Sequence, residues 1–397
     1  MVEKRKPISV SEAVRRVMEW AGDGESEWVP IEKAYGRSLA EDILARHPVP
    51  PFDRSPYDGF AIRSADSAAA SRENPVRLRV VGEIGAGSVH LDDVGEFEAV
   101  RIMTGAQLPD TCDAVVMLEL TEEVQDGEEK YVMIKRPFQK GDNISFQGED
   151  IEEGTVLIQK GEVVTPGAAA VLATFGYSSV QVARKPIVGI FATGSELLDV
   201  DEELQPGKIR NSNAYMIMAQ IERAGAQAVY FGKFPDHLDL CYEAVKEAAE
   251  QVDMLITTGG VSVGDYDYLP VIYKRLEAEV LFNKIGMRPG SVTTVATWKD
   301  KILFGLSGNP SACYVGFELL VRPVIRKRMF SKKPHLPKAQ ATLAEDFLKP
   351  NPFTRFIRGK LTSSNGKLIV NPGKFNKSNA VGVLAETDVL TVLPGGT

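Results

Sequence analysis

The stretch TTGGVSVGDYD, Thr257 to Asp267, places glycines, hydroxyl residues and two carboxylates directly after an apolar run, DMLITT. Gly259, Gly260 and Gly264 carry no Cβ, so the backbone there can approach a ligand closely. Thr258 and Ser262 add hydroxyl donors, and Asp265 and Asp267 follow. Beside a phosphate-binding backbone, such carboxylates chelate Mg²⁺ or activate water. Glycine clusters also mark plain turns, but this combination holds more chemistry than a turn needs.

Three further segments have comparable placement. ATGSEL begins at Ala192 and follows the apolar run IVGIF. In open parallel sheets ligands sit at the carboxyl ends of strands. There Thr193, Gly194 and Ser195 can present backbone N–H groups, with Glu196 facing the same crevice. The same residues also make an ordinary turn with a helix-capping glutamate. GLSGNPSA, Gly305 to Ala312, follows ILF and starts a helix at Asn309 and Pro310. A helix N-terminus attracts anions, or it is simply well capped. NKIGMRPG, Asn283 to Gly290, brings Lys284 and Arg288. They are either a local positive site for a phosphorylated ligand or a solvated basic turn. A last set, Asp58 in PYDGFAI, Thr104 in RIMTGA and Asp150 in QGEDI, reads by itself as turn chemistry.

The elements that must position these residues are legible in the periodicity. Ser9 and Glu12 form a capping-box pattern before the amphipathic run Ala13, Val14, Val17, Met18 and Ala21, which predicts a short helix stopped near Gly22. The proline-rich segment from His47 to Pro56 reads as a linker opening a new module. From about Val76 to Lys135 the composition is that of β structure, with a glycine-marked hairpin in EVQDGEEKYVMI. TPGAAAVLATFG predicts a helix with Thr165 as N-cap, Pro166 in the first turn and Gly176 as the stop. From Pro186 onward, apolar runs suited to buried strands alternate with helices, near Asn213–Ala224 and Leu238–Gln251, which predicts a parallel α/β sheet. ATWKDKIL reads as a hairpin. Pro323 should bend or end the helix that begins at Asn309. Past Phe330 the chain is β-like again, with SSNG as a hairpin turn between FIRGKL and KLIV.

Composition narrows the function class. The 397 residues predict two to four domains. The net charge of −8 argues against general nucleic-acid binding, which needs a basic face. The three cysteines, Cys112, Cys241 and Cys313, are far apart, and the four histidines form no ligand pair, so a structural zinc site is not expected. The sparse cysteines fit a reducing compartment. The N-terminus lacks a signal-peptide core, and no apolar run nears the ~20 residues a membrane span needs. The expectation is a cytoplasmic protein that uses neither membrane nor nucleic acid.

With PPFDRSPYDGFA, RIMTGA, GED, TGSEL, GGVSVGDYDY and GLSGNPSA occurring in this order, the chain resembles the MoeA family of molybdopterin molybdenumtransferases, which includes the equivalent gephyrin and plant cofactor domains. The resemblance covers nearly the whole chain. It implies a multidomain α/β plus β fold. A split α-containing domain would span 1–46 and 149–178, an inserted β-rich domain 47–148, a central three-layer molybdopterin-binding α/β domain 179–330, and a β-barrel-like C-terminal domain 331–397. It implies a homodimer in which Asp58 and Thr104 reach the partner's cleft. Carried over by motif, Asp58, Thr104, Asp150, Glu196, Asp236 and Asp267 take catalytic places. Lys284, Arg288 and Pro310 match further functional positions, and the residue reading adds Thr193, Gly194, Ser195, Gly259, Gly260, Ser262, Gly264, Ser307, Asn309 and Ser311 to them as substrate-binding candidates. Two positions depart from the family pattern. Ser307 stands where many members have proline, and RPGS stands where many have KPGK, so that Arg288 and Ser291 replace lysines.

The implied reaction inserts molybdate into adenylylated molybdopterin with release of AMP. Glu196 and Asp267 would hold Mg²⁺ against the pyrophosphate, the backbone at Gly259 and Gly260 would cradle phosphate, and Lys284, Arg288 and Ser311 would hold the molybdate dianion. The molybdopterin adenylyltransferase is a further implied partner. Competing readings are a tungstate-inserting homologue, a non-catalytic molybdopterin-binding scaffold, and a nucleotide-hydrolysing relative of the competence-damage type. That last class lacks the PYDGFA and RIMTGA elements.

Overall fold

A computed structural model describes residues 6–234, 237–260, 268–348, 350–373 and 375–397. The chain divides into two compact units. One comprises 1–41, 160–169 and 179–397; the other comprises 42–159 and 170–178.

The first unit is built on a six-stranded sheet. Its order is Gln227–Lys233, Ile187–Ala192, Met254–Thr258, Lys301–Leu306, Thr294–Trp298 and Glu279–Phe282. The first four strands are parallel and the last two join antiparallel. Successive side chains on a strand alternate faces, and the apolar runs use both. Val188, Ile190, Met254, Ile256, Phe304 and Leu306 enter one core with Ala214, Ile217 and Ile221 of the helix Ser212–Ala224. Phe191, Leu255 and Leu303 enter the other with Cys241, Val245 and Ala249 of the helix Leu238–Gln251. The result is the expected three-layer arrangement, a mainly parallel sheet covered on both faces.

Helix ends follow the expected chemistry. The first helix is Val10–Glu19, and Ser9 Oγ accepts from the Glu12 amide at 3.1 Å. The reciprocal half of a capping box is absent, because the Glu12 carboxylate pairs with Arg15 and Arg16 instead. Pro166–Thr174 starts after Thr165, whose hydroxyl accepts from Ala168 N at 3.2 Å. Pro323 does not end the helix. The helix starting at Pro310 passes through one π-helical turn, Phe317–Val321, and continues as Arg322–Arg328 with Pro323 in its first turn. The widened turn lies where proline's missing N–H and its ring would otherwise disturb an α-helical ladder.

The C-terminal segment of this unit forms a five-stranded sheet, and one strand comes from earlier in the chain. Met287–Arg288 pairs parallel with Thr354–Arg355. In the hairpin Thr354–Ser364/Lys367–Pro372, Asn365 and Gly366 both adopt positive φ, as a tight hairpin turn requires. The segment also meets the helix starting at Pro310. Ser311 N donates to Ser378 O at 3.0 Å, and Ser311 Oγ donates to Ala380 O at 2.7 Å.

The second unit carries a six-stranded, mostly antiparallel sheet. Its order is Ala114–Met117, Gly59–Ile62, Glu98–Ile102, Val76–Ile84, Glu129–Ile134 and Thr121–Asp126. Phe60, Ile62 and Val116 pack on one face, and Ala61, Val100 and Val115 pack on the other. The segment expected as a linker is held into this unit. Val49 bridges to Ile151, and Arg54 bridges to Gln107 and Ser145. Among the described residues no helix is long and apolar enough to cross a membrane.

The buried Ser311–Ala380 bond predicts the behaviour of Ser311→Ala. Leaving a buried carbonyl unpaired costs about 1–3 kcal/mol. Thermal unfolding is expected at lower temperature, with faster amide hydrogen exchange in the peptide spanning Asn376–Val381. Unchanged exchange there would show that the hydroxyl does not hold the segment.

Candidate active site

Three loops leave the carboxyl ends of adjacent parallel strands and touch one another. After Ile187–Ala192, Thr193 turns toward the neighbouring strand. Its amide and its hydroxyl both donate to Thr258 O, at 3.0 and 2.9 Å. After Met254–Thr258, Gly259 N donates to Leu306 O at 2.9 Å. A Cβ on Gly259 would stand 2.6 Å from Thr193 Oγ1 and 2.8 Å from Thr193 O, and its φ is +87°. After Lys301–Leu306, a Cβ on Gly308 would lie 3.4 Å from the Gly259 Cα. Glycine at 259 is therefore required by loop-to-loop contact.

This geometry corrects one expectation. The amide of Gly259 extends the sheet ladder and is not available to a phosphate. Gly260, also at positive φ, is half-buried.

Gly194, Ser195 and Glu196 are exposed. Gly194 has φ +139°, and a Cβ there would collide with the Glu196 carboxylate, which folds over its backbone. The carbonyls around Glu196 are all engaged. Ser195 O accepts from Lys208 Nζ at 2.6 Å, Glu196 O from Ile209 N at 2.9 Å, and Leu197 O from Lys233 Nζ at 3.4 Å. Asp199 holds Lys233 at 3.1 Å and raises its pKa, chiefly through their hydrogen bond. The backbone is thus fixed, and the exposed carboxylate lies over Gly194.

Lys284 is half-buried, and Arg288 is exposed with its guanidinium 5.9 Å from the Phe353 ring centroid. The N-terminal segment braces this loop. Ile8 N donates to Lys284 O at 3.1 Å, and Gly286 N donates to Ile8 O at 2.8 Å.

Ser307 is half-buried, and its hydroxyl accepts from Asn309 N at 3.2 Å, so this serine shapes its own turn. Asn309 is exposed and caps the following helix without a side-chain bond, and Pro310 is half-buried. Ser311 corrects a second expectation. It is fully buried, and its amide and hydroxyl are both spent on the C-terminal segment. The first amides of this helix accordingly face Ser378 O, and Ser311 leaves the set that could hold an oxyanion.

In the second unit Asp58 and Thr104 are brought together. Asp58 Oδ1 accepts from the Thr104 amide at 2.7 Å and from its hydroxyl at 2.8 Å. These bonds, the backbone one first, hold the Asp58 pKa below its ordinary value. Both residues are exposed. Asp150 is exposed too, and its amide donates to Val49 O at 3.1 Å.

Ser262, Gly264, Asp267 and Asp236 lie outside the described residues. Among the described residues no three His, Cys, Asp or Glu side chains converge as a metal cluster.

Residues missed in the sequence do the bracing. Asn211 caps Ser212–Ala224 by accepting from Ala214 N at 3.2 Å, and Asn213 Nδ2 donates to Gly308 O at 2.8 Å. Lys208 and Lys233 fix the carbonyls beside Glu196. Two asparagines at a helix start read as capping chemistry. The lysines carried no signal, because their targets are backbone atoms.

Comparison with known proteins accounts for the whole chain. Residues 8–176 match the MoeA N-terminal region (domain I and II), 189–327 a probable molybdopterin binding domain, and 340–397 the MoeA C-terminal region (domain IV). Over 397 residues the chain is 59% identical to the Molybdopterin molybdenumtransferase of Bacillus subtilis, covering 100% of this chain and 92% of that one. It is 52% identical to the same-named protein of Staphylococcus aureus, covering 100% and 94%. A solved molybdopterin biosynthesis MoeA structure from Pyrococcus horikoshii OT3 has a TM-score of 0.82 at 29% identity, covering 99% of this chain and 96% of that one. A second Pyrococcus MoeA structure has a TM-score of 0.87 at 31% identity, covering 98% and 95%. The chain belongs to the MoeA family.

Proposed function

We propose that this chain is a molybdopterin molybdenumtransferase of molybdenum cofactor biosynthesis, inserting molybdate into adenylylated molybdopterin with hydrolytic release of AMP. The observation that carries the reading is the 59% identity over the full chain to the Bacillus subtilis protein of that name. The geometry supports it with three glycine-bearing loops packed at the carboxyl ends of parallel strands and an exposed carboxylate beside them.

In this reading water attacks phosphorus of the phosphoanhydride and the bond to AMP breaks, while the two dithiolene thiols displace one oxide of molybdate as water, so that two Mo–S bonds form and the pterin phosphate is left with molybdenum on its dithiolene. Gly260 and the turn Ser307–Asn309 lie against the phosphates. Lys284 and Arg288 hold the molybdate dianion, and the guanidinium at 288 offers a planar fork where a lysine would offer a point charge. Mg²⁺ takes hard oxygen donors, and the exposed Glu196 carboxylate is a donor of that kind; Asp267 is its partner in this reading. Bound there, Mg²⁺ would neutralise charge as it moves onto the leaving AMP.

The reading extends to a cytoplasmic homodimer of four-module chains, with Asp58 and Thr104 serving the partner's cleft, and to the molybdopterin adenylyltransferase as source of substrate. The pairing of Asp58 with Thr104 supports this role, since two donors keep an exposed carboxylate ionised and aimed.

Incubation with adenylylated molybdopterin, Mg²⁺ and either oxyanion tests the activity. Expected are oxyanion-dependent AMP release and a product that reconstitutes an apo-molybdoenzyme. Preference for tungstate would reassign the metal, and tight substrate retention with no AMP release would leave a scaffold. A second test uses Thr104→Val. The hydroxyl donor is lost and the backbone donor, the larger cause, is kept, so the Asp58 pKa rises toward its ordinary value but stays below it. A carboxylate needed in ionised form fails as pH falls through its pKa, so the acid loss of AMP release begins at higher pH in the variant. Carboxyl NMR titration checks the shift, and an unmoved acid limb would release Asp58 from the role.

A further inference from the structure

Asn213 is the side chain that the ordinary rules of helix formation explain least. It lies in the first turn of Ser212–Ala224, where Asn211 already caps the helix. That cap is therefore already taken, and the Asn213 side chain is only 8% exposed. Its Nδ2 donates to Gly308 O at 2.8 Å. Its Oδ1 is buried and, among the described residues, receives no hydrogen bond. Burying an unpaired acceptor is unfavourable. A leucine, with the same number of side-chain heavy atoms, would bury no unpaired acceptor.

The position of the bond supplies the reason. Thr193 grips the end of the strand Met254–Thr258, Gly259 lies against Thr193 and bonds Leu306 O, and Gly308 packs on Gly259. On the other side, Leu197 N donates to Gly194 O at 3.2 Å and Asn211 N to Leu198 O at 2.9 Å. The circuit of loops around the site thus runs Thr193, Gly259, Gly308, then back through Asn211 and Leu198. The Asn213–Gly308 bond closes it. Gly308 is itself exposed, so its carbonyl could turn to solvent if that bond were missing.

We propose that Asn213 is a positioning residue for the reaction, holding the turn Ser307–Asn309 at the distance from the Gly259–Gly260 backbone that the phosphate-bearing substrate needs. This rests on the molybdopterin molybdenumtransferase reading. The residue touches no reacting atom; it acts through Gly308.

Asn213→Leu and Asn213→Asp test the proposal. The leucine variant removes both the donor and the unpaired acceptor, so its melting temperature is expected to fall by no more than the few degrees that its added bulk costs. Amide exchange in the peptide spanning Gly305–Ala312 of the ligand-free protein accelerates, and KM for adenylylated molybdopterin rises about tenfold, the equivalent of one charge-assisted hydrogen bond. The kcat changes less than about threefold. Asn213→Asp keeps the shape but sets an oxygen against Gly308 O, and it reproduces the exchange and KM effects. A fall in melting temperature of the leucine variant with unchanged KM and exchange would make Asn213 a structural residue and overturn the proposal. Should wild type release no AMP, the functional reading fails separately. The exchange measurement then still decides whether Asn213 holds the turn.

Discussion

The site depends on a close approach that only a residue without a Cβ permits. Gly259 lies so near Thr193 that any side chain would meet a hydroxyl and a carbonyl at 2.6 and 2.8 Å. That contact sets the spacing between the loops after two neighbouring strands, and the packing of Gly308 on Gly259 extends it to a third. Parallel strands make this possible. Their carboxyl ends lie side by side, and loops leaving them must either splay apart or interlock. Here they interlock through backbone, which costs little reorganisation when a charged ligand arrives.

Charge is arranged around that frame with economy. An acidic chain of net charge −8 must place cations locally to hold an anionic substrate. The described cations near the loops have separate tasks. Lys208 and Lys233 hold carbonyls on either side of Glu196, while Arg288 remains exposed. Bracing lysines keep the acidic loop in shape, and the carboxylate stays exposed. Asp58 in the second unit is treated alike: two donors from Thr104 hold it ionised without burying it.

Much of this was legible in the residues. The continuous apolar runs at 187–192 and 254–258 read as strands buried on both faces, and the helix Leu238–Gln251 appears with its expected bounds. The hairpin at Asn365–Gly366 follows from the two residues that tolerate positive φ. What the sequence hid were long-range consequences. Pro323 signals a break when only its own helix is considered, but a π-helical turn before it absorbs the misfit. Ser311 looks like an anion ligand at a helix start until Ser378 and Ala380 arrive, the latter from 69 residues further along the chain. Gly259 was rightly singled out as a place of close approach, but the approaching group is Thr193. Local pattern reports which atoms a residue offers; the fold decides which neighbour accepts them.

Titration calorimetry of adenylylated molybdopterin into wild type and a folded Gly259→Ala variant addresses the interlocked loops most directly. The added methyl must push Thr193 away and sit at a φ that L-residues resist, so the account predicts affinity at least ~10-fold weaker. Equal affinity in the two proteins would contradict the claim that this contact spaces the site.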